Sequence, residues 1–511
     1  MRLRSILILG ALAGRVDAQS PSVPTPAAIQ NIREQDLRRD LFEMASDALR
    51  GREAGTLDEM RASIWTAEQL RKIGLQPMGE DGTWFQWFNM RRTRVSTVGS
   101  SVRIGGKPLA VWTDITPASN AVGDVVGTTV FAGDGSDSTI DVRGRVAVVT
   151  LRPTSQGTRT TINTPEYRAV RQGITVQSGA LSRRGASAVI VVADTSGEKY
   201  FDAVAKLQAR GAYTVVGGAN RFAPAGGGGR GGRGGGGGGP AQSQAVPVLL
   251  AHSAALAQLR MDGQGVEIHL RSEQFDAPSV NIIGVVRGTD PVLRNEYVVF
   301  SSHQDHDGVR FAVDGDSIWN GADDNGSTSV ALLAIARAWV KQPSKRSALF
   351  IYHGAEERGL LGSLWHAAHP VVPLSAMVAV LNGDMIGRNH PDTASLLGIQ
   401  PPHRNSTALV QMALDANNRT GKFVLDSLWD RPSHPEGWYF RSDHVPYARL
   451  NVPALFFSTN LHDDYHTPRD NPDRIDYAKL TRMTKWMYLT GWIVANSRER
   501  PGIDAGFQLE R

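Results

Sequence analysis

From residue 280 to the end of the chain, short apolar runs alternate with segments of helical periodicity. This alternation is typical of an α/β fold with a mixed, mostly parallel sheet. The runs that predict strands are YVVF at 297–300, ALFIY at 348–352, MVAVL at 377–381 and PALFF at 453–457. Ligands of such sheets bind beyond the carboxyl ends of the strands, where each run here meets a polar cluster. We therefore expect the clusters to converge on one crevice.

The chain has 511 residues, too many for one ordinary hydrophobic core, so two or more domains are expected. Residues 1–18 have the features of a signal peptide, with MRLR, an apolar run and the small-residue ending VDA. An exported protein, periplasmic or secreted, is the expectation. In the first part of residues 19–120 the apolar residues have helical spacing, and Gly74 and Pro77 end this pattern.

Residues 121–274 have a different texture, with short β-branched runs separated by turn residues, and predict a β-rich inserted domain. Within it, residues 225–240 are almost entirely glycine and predict a disordered loop, because they bury no large apolar side chain. Arg-Gly-Gly repeats also occur in RNA-binding tails. Arg230 and Arg233 lack interleaved aromatic residues, which favours the loop interpretation.

Composition narrows the classes of function. The formal net charge is +5, and about +3 without the predicted signal peptide, which gives little support for nucleic-acid binding. The absence of cysteine excludes disulfides and zinc thiolate sites. No later segment approaches the roughly 20 apolar residues of a membrane span, so no stable membrane insertion is expected.

Metal-binding side chains follow the first predicted strand and a glycine-bounded turn. His303 and Asp305 lie two residues apart, so they face the same side of a strand end, and the Asp305 carboxylate is predicted to orient the His303 ring. A solvated polar turn is the alternative. Asp323 and Asp324 precede a helical run, where a carboxylate can approach two cations or simply cap the helix. The spacing of an EF-hand is absent, which disfavours calcium.

Three more clusters complete the set. Glu356 and Glu357 are adjacent after the second strand, so their side chains point in different directions, and one can bind metal while the other acts as a general base. Asp384 follows the third strand. His466 lies beside Tyr465 after the fourth strand, with His462, Asp463 and Asp464 as rival ligands.

Histidine nitrogens and carboxylate oxygens are the usual protein ligands of zinc in sites without cysteine. Two imidazoles with three or four carboxylates suit a pair of zinc ions. The first hypothesis is therefore a two-metal hydrolase.

At these five clusters the chain resembles the co-catalytic di-zinc aminopeptidase family, of the secreted bacterial leucyl aminopeptidase type with an inserted protease-associated domain. The motifs HQDHDG, NGADDNGS, GAEERGLLGS, NGDMIGR and YHTPRDN carry the resemblance, in the family's order. It implies a zinc-exopeptidase α/β/α sandwich. Residues 19–120 and 275–511 would form the catalytic domain, and residues 121–274 the protease-associated domain.

The resemblance also implies two Zn²⁺ ions as cofactors and a role for each site residue. One zinc ion would be bound by His303 and Asp384, the other by Glu357 and His466, with Asp324 bridging both, Glu356 as the general base, Asp305 as the partner of His303, and Tyr465 as a donor to the oxyanion. The implied activity is hydrolysis of N-terminal residues from peptides or proteins by a metal-bridging water.

Several alternatives stay open at this point. A carboxypeptidase or dipeptidase of the same fold would need a basic group for the substrate carboxylate, and Arg388, Arg431 and Arg441 are candidates. A mono-zinc cyclising transferase would hold one metal. A binding ectodomain would have lost ligands or the base, whereas this chain keeps the full set. A surface-binding protein with structural calcium is an unrelated alternative.

Aromatic residues are concentrated at 428–444. Core packing is expected for most of them, and Trp438, Tyr439 or Phe440 is expected to affect substrate choice.

Overall fold

The computed structural model describes residues 23–154, 165–217 and 246–510. The predicted signal peptide at 1–18 and the Gly-rich loop predicted at 225–240 lie outside the described residues. The α-helices are α1 (Glu34–Met44), α2 (Leu57–Ile73), α3 (Pro165–Arg183), α4 (Thr195–Lys199), α5 (Phe201–Arg210), α6 (Leu256–Leu259), α7 (Thr328–Lys341), α8 (Leu361–Ala368), α9 (Thr407–Arg419), α10 (Val445–Arg449) and α11 (Tyr477–Asn496).

The strands are β1 (Gln76–Pro77), β2 (Phe85–Val95), β3 (Ser101–Ile104), β4 (Lys107–Leu109), β5 (Ile115–Pro117), β6 (Gly123–Phe131), β7 (Val146–Thr150), β8 (Ala188–Val192), β9 (Ala212–Val215), β10 (Val248–Ala251), β11 (Gly265–Leu270), β12 (Ser272–Val286), β13 (Tyr297–His303), β14 (Gly308–Val313), β15 (Asp316–Trp319), β16 (Ser347–His353), β17 (Met377–Gly383), β18 (Thr393–Leu397), β19 (Val424–Leu425) and β20 (Ala454–Ser458).

The main sheet has ten strands in the order β19-β18-β20-β17-β13-β16-β12-β2-β9, with β1 paired to β12. The four central strands β20, β17, β13 and β16 are parallel. Strand β12 is antiparallel to β16 and β2, and β18 is antiparallel to β20. The predicted α/β fold with a mixed sheet is confirmed, and its parallel strands lie at the centre, apart from the β18–β19 pair at one edge.

Alternate residues of the central strands are buried on opposite faces of this sheet. In β16, Phe350 and Tyr352 pack in one core with helices α1, α2, α7, α9 and α11. Leu349 and Ile351 pack in a second core with α8 and α10. Every residue of β16 is buried, as expected for a strand with an apolar layer on each face. The result is an α/β/α sandwich.

Helix α2 shows how local sequence sets the ends of an element. The Thr56 side chain accepts hydrogen bonds from the N–H groups of Asp58 and Glu59, which caps the first turn. Gly74 ends the helix with a φ of 101°, a conformation that glycine adopts without steric cost. The helix stop predicted at Gly74 is confirmed.

A second sheet of eight strands has the order β4-β3-β11-β6-β7-β8-β10-β5. We call the segment from β3 to β11 the inserted unit. It begins at Ser101, earlier than the predicted boundary at 121, because Val102 and Ile104 alternate with exposed residues and are buried in the core of this sheet. Helices α3 and α5 pack on its other face, so the unit is less purely β than predicted.

The inserted unit lies between β2 and β12 in the chain, and it shares a hydrophobic core with the β14–β15 hairpin. Strands β2 and β12 pair without interruption from Phe85↔Ile282 to Val95↔Ser272. Phe311 of β14 and Trp319 of β15 are buried in the same core as α3 and α5. In the described part of the chain, no helix combines the length and the apolarity needed to cross a bilayer.

Candidate metal centre

The predicted site residues lie at the carboxyl ends of the central strands. His303 is the last residue of β13, and Asp384 directly follows β17. Glu356 and Glu357 lie in a 3-10 turn, Glu356–Arg358, shortly after β16. His466 lies in the connection between β20 and α11. The convergence predicted from the strand ends is therefore present in the structure.

Asp324 is presented by the buried turn Ala322–Ser327, which precedes α7. Gly321 opens this turn with a φ of 60°. The Asp470 carboxylate accepts hydrogen bonds from the N–H groups of Asp323 and Asp324 at 3.0 and 3.1 Å. These contacts fix the backbone and leave the Asp324 carboxylate free to face the crevice.

Two groups of ligand-type atoms meet at Asp324. In the first, the His303 Nε2 atom lies 3.2 Å from Asp324 Oδ1 and 3.5 Å from Asp384 Oδ1. In the second, the His466 Nε2 atom lies 3.0 Å from Asp324 Oδ2 and 3.0 Å from Glu357 Oε1. The two oxygens of Asp324 thus face different histidines, so this carboxylate can bridge two cations. The structure brings all five predicted ligands together.

The residues present fit metal ions. The His303 Nε2, Glu357 Oε1 and Asp384 Oδ1 atoms are buried and have no hydrogen-bond partner among the described residues. Such atoms carry a desolvation cost that a cation would offset. The Ser442 hydroxyl donates to Asp384 Oδ2 at 2.9 Å, which turns the other oxygen toward His303.

Without cations, the crowded carboxylates shift the pKa values of their neighbours. Burial acts to lower the pKa of His466, but Glu357 and Asp307 outweigh it and raise that pKa to about 10. Burial raises the pKa of Glu356 well above its ordinary value, and Glu357 and Asp384 add to the rise against the pull of His303. A bound cation lowers the pKa of a nearby carboxylate, so metal ions here would oppose the rise at Glu356.

Glu356 and Glu357 take different positions, as predicted. The Glu356 Oε2 atom lies 3.8 Å from His303 Nε2, on the side of the first group. Glu357 lies in the second group with His466. One carboxylate is thus placed between the ligand-type atoms of the second group, while its neighbour remains at the edge of the first.

Asp305 has a different role in the structure from the one predicted. The His303 Nδ1–H group points to the main-chain carbonyl of Asp305 at 3.0 Å, whereas the nearest carboxylate oxygen is 3.9 Å away. That carboxylate accepts from the N–H groups of Glu356 and Glu357 at 3.0 and 3.3 Å. Asp305 therefore orients His303 through its backbone and holds the glutamate turn through its side chain.

Tyr465 lies over the second group. Its ring stacks on His466 with a centroid distance of 3.9 Å, and its hydroxyl accepts a hydrogen bond from Arg441 at 2.9 Å. Burial raises the pKa of Tyr465 well above its ordinary value, despite Arg441, so the hydroxyl keeps its proton and can donate it.

The rival ligands of the last cluster lie elsewhere. The His462 Nε2 atom is 3.5 Å from Asp323 Oδ2, behind the bridging residue. Asp464 pairs with Arg388 at 2.7 Å, and Asp463 is exposed. His466 is the histidine of this cluster that reaches the crevice.

The aromatic span contributes mainly to the core. Trp438 and Tyr439 are buried in one cluster with Tyr465. Arg441 lies over both the Trp438 and the Tyr465 rings. Tyr439 instead stacks on His403. Trp438 is thus connected to Tyr465 through Arg441.

Sequence reasoning missed three residues beside the site. His306 is buried with its Nδ1 atom 3.0 Å from Glu357 Oε1, and it belongs to the second group. Asp307 Oδ2 lies 3.2 Å from His466 Nδ1. Both are in the motif HQDHDG, which was the available signal. Asp443 is fully buried, and this burial, with Asp384 and Asp305, raises its pKa to about 7 against the pull of His303.

The protein is thus an α/β/α sandwich. Two linked groups of histidine and carboxylate side chains lie at the ends of its parallel strands and form a candidate dinuclear metal centre. Residues 281–490 match the family described as Peptidase family M28. This segment makes up less than half of the chain, and it is similar to that family.

Relatives of known name agree with the family match. The chain is 30% identical over 225 residues to aminopeptidase YwaD of Bacillus subtilis (strain 168), covering 42% of this chain and 45% of that protein. It is 27% identical over 178 residues to leucine aminopeptidase 2 of Trichophyton equinum, covering 34% of this chain and 32% of that protein. The matched regions thus span less than half the length of these two relatives.

Solved structures show the same fold over nearly the whole chain. An aminopeptidase from Aneurinibacillus sp. strain AM-1 superposes with a TM-score of 0.53 at 18% identity, covering 93% of this chain and 96% of that one. BSAP, a zinc aminopeptidase from Bacillus subtilis, superposes with a TM-score of 0.56 at 17% identity, covering 93% and 99%. The predicted fold class and family resemblance are confirmed.

Proposed function

We propose that this protein is an exported zinc-dependent aminopeptidase that removes N-terminal residues from peptides or proteins. The observation that carries the proposal is the position of Asp324, whose two oxygens face His303 and His466 at 3.2 and 3.0 Å. A carboxylate placed between two such groups suits a bridging ligand of a dinuclear site.

We assign the five predicted ligands to two zinc ions. His303 and Asp384 would hold one ion, Glu357 and His466 the other, and Asp324 would bridge them. When bound, two such ions supply a water of lowered pKa and stabilise the negative charge that develops on the scissile carbonyl.

The chain's own residues provide the proton transfers and the orientation. Glu356 accepts the proton of the attacking water and returns it to the leaving amine. The Tyr465 hydroxyl donates to the oxygen of the tetrahedral intermediate. Asp305 keeps Glu356 and Glu357 apart by accepting their N–H groups. The acidic surroundings of the site suit the positively charged α-amine of a substrate N-terminus.

Two observations favour an aminopeptidase over the alternatives. Arg388 is paired with Asp464 at 2.7 Å, and Arg441 donates to Tyr465 at 2.9 Å and to Glu436 at 3.0 Å, so two of the three candidate guanidinium groups have partners in the protein. The third candidate, Arg431, is exposed. A carboxypeptidase would need a free guanidinium group to bind the substrate carboxylate. The second group of ligand-type residues, which a mono-zinc transferase would not need, contains Asp324, Glu357 and His466.

We also propose that the inserted unit is a protease-associated domain that limits access to the site. The proposed export is supported by the sequence of residues 1–18. Cell fractionation followed by N-terminal sequencing tests the export, and a chain found only in the cytoplasm with Met1 in place would contradict it.

A tripeptide with different ends, such as Leu-Ala-Phe, separates the candidate activities when it is supplied unblocked and N-acetylated. We expect release of leucine from the unblocked peptide alone, because the free amine is part of what the site binds. Release of phenylalanine from both peptides would identify a carboxypeptidase. The Glu356→Gln variant is the control for contaminating peptidases.

A further inference from the structure

The Asp307 carboxylate contacts the ring nitrogen of His466 that does not face the other candidate ligands. The His466 Nδ1 atom lies 3.2 Å from the Oδ2 atom of Asp307, while the Nε2 atom faces Asp324 and Glu357. A carboxylate that accepts the Nδ1–H group leaves the Nε2 lone pair for a metal and fixes the ring plane. Asp307 is therefore placed to fix both the tautomer and the direction of this candidate ligand.

Asp307 is in turn surrounded by guanidinium groups. Arg310 bonds its Oδ2 atom, the oxygen that also faces His466. The Arg210 Nη1 atom donates to Oδ1 at 3.0 Å, and Nη2 donates to the Asp307 main-chain carbonyl. Arg358 lies 3.8 Å from Oδ1. Arg210 thus donates hydrogen bonds to both the side chain and the backbone of Asp307.

Arg210 belongs to the inserted unit, where it is the last residue of α5. Its Nε atom lies 3.1 Å from Glu53 Oε1, and its carbonyl accepts from Arg92 Nε at 2.6 Å. The Arg210 and Asp307 side chains are only 12% and 3% exposed, so solvent screens their ion pair little. Residues 97 positions apart in the chain are joined at this point.

The body of α5 is also fixed to the main domain. Phe201 and Val204 of α5 are buried in one core with Phe311 and Trp319 of the β14–β15 hairpin. That hairpin begins directly after Asp307. Packing therefore determines where the guanidinium group of Arg210 lies relative to Asp307.

We propose that Arg210 is a positioning residue through which the inserted unit supports the metal centre, by holding Asp307 against His466. This inference rests on the proposed function, because it assigns His466 as a zinc ligand. It gives the inserted unit a part in building the second ligand group, besides any effect on access.

The test is the affinity of each zinc ion, measured by competition with a chromophoric chelator in the full-length protein. We expect Arg210→Ala to lower the affinity for one of the two zinc ions by about tenfold and to leave the affinity for the other unchanged. A loss of about this size is typical when a metal ligand loses its hydrogen-bonding partner. Arg210→Lys, which keeps the charge, should recover part of this loss.

Lys206→Ala is the matched control. Lys206 lies one turn earlier on α5, pairs with Asp202 at 3.0 Å and is exposed, so both zinc affinities should be those of the wild type. If Arg210→Ala does not fold, Arg210→Gln tests the same contact, because it keeps part of the side chain and removes its charge.

Wild-type affinity for both ions in folded Arg210→Ala would overturn the inference, as would equal weakening of both. The proposed function has a separate readout. A wild-type protein that binds two zinc ions but cleaves no peptide would contradict the function and leave the inference standing. An active enzyme with unchanged zinc affinities in Arg210→Ala would do the reverse.

Discussion

Glu356 and Glu357 are neighbours in the sequence, yet they face different parts of the site. Glu357 Oε1 lies 3.0 Å from His466 Nε2, while Glu356 Oε2 lies 3.8 Å from His303 Nε2. The turn Glu356–Arg358 separates them, and the Asp305 carboxylate holds both N–H groups. In the proposed mechanism, this local turn divides metal binding from proton transfer.

Glu356→Gln should lower kcat for peptide hydrolysis by about 10²–10⁴-fold, because the amide cannot accept the proton of the attacking water. The bound zinc should be unchanged, because Glu356 is not among the five assigned ligands. Steady-state kinetics with metal analysis of the same sample checks both. Loss of zinc together with activity would show that Glu356 is a ligand instead.

Zinc uptake by the metal-free protein should depend on pH through His466. The folded metal-free protein keeps His466 protonated up to a pKa of about 10, so at neutral pH zinc has to displace that proton. The apparent affinity should therefore rise with pH, by up to roughly tenfold per unit for one displaced proton. Calorimetry in two buffers of different ionisation enthalpy measures the release, and zero net proton release at neutral pH would contradict the prediction.

At the scale of elements, the turn before α7 places Asp324 with little tolerance. A Cβ atom on Gly321 would lie 2.2 Å from the Asp324 carbonyl oxygen and 2.4 Å from His306 Cγ. Glycine at this position therefore permits both the left-handed backbone and the close approach of His306.

Gly321→Ala should cost more than about 2 kcal/mol of unfolding free energy and weaken zinc binding, because the added methyl group displaces the turn. Gly315→Ala is the control, since Gly315 has a φ of +88° with no heavy atom near the added Cβ. That variant should lose only about 1 kcal/mol from its backbone conformation. Denaturant titration compares them, and equal losses would mean that the turn relaxes freely.

The elements that carry the ligands were predictable because each combines a buried strand with a polar end. The runs at 297–300, 348–352 and 377–381 became β13, β16 and β17, and the clusters that follow them converge. Other details were not predictable. Periodicity does not distinguish the carbonyl of Asp305 from its carboxylate, and it gives no reason to bring Arg210 beside Asp307.

At the scale of the whole molecule, the site is an internal cluster of carboxylates and histidines that metal binding should stabilise. Three of its ligand atoms are buried without a hydrogen-bond partner in the described ranges. Without zinc, these polar atoms lack a partner in a poorly solvated crevice.

Zinc should therefore raise the thermal and chemical stability of the folded protein. Free zinc at 100 times its dissociation constant should add about 2.7 kcal/mol to the unfolding free energy for one site. Thermal unfolding with and without a chelator measures the effect. Asp384→Asn, which weakens one ligand, should show a smaller gain, and an identical gain would argue against Asp384 as a ligand.

The chain leaves the main sheet for the inserted unit at the end of β2 and returns to it at the start of β12, and these two strands are neighbours in the main sheet. Val95 at the end of β2 and Ser272 at the start of β12 are partners in an antiparallel ladder, so their Cα atoms lie about 5 Å apart. That gap is one a two-residue hairpin turn closes. Excising residues 96–271 and bridging the cut with Asn-Gly would therefore preserve the register of β2 and β12 at the cut, while it would remove β9 from the edge of the main sheet and expose Phe311 and Trp319.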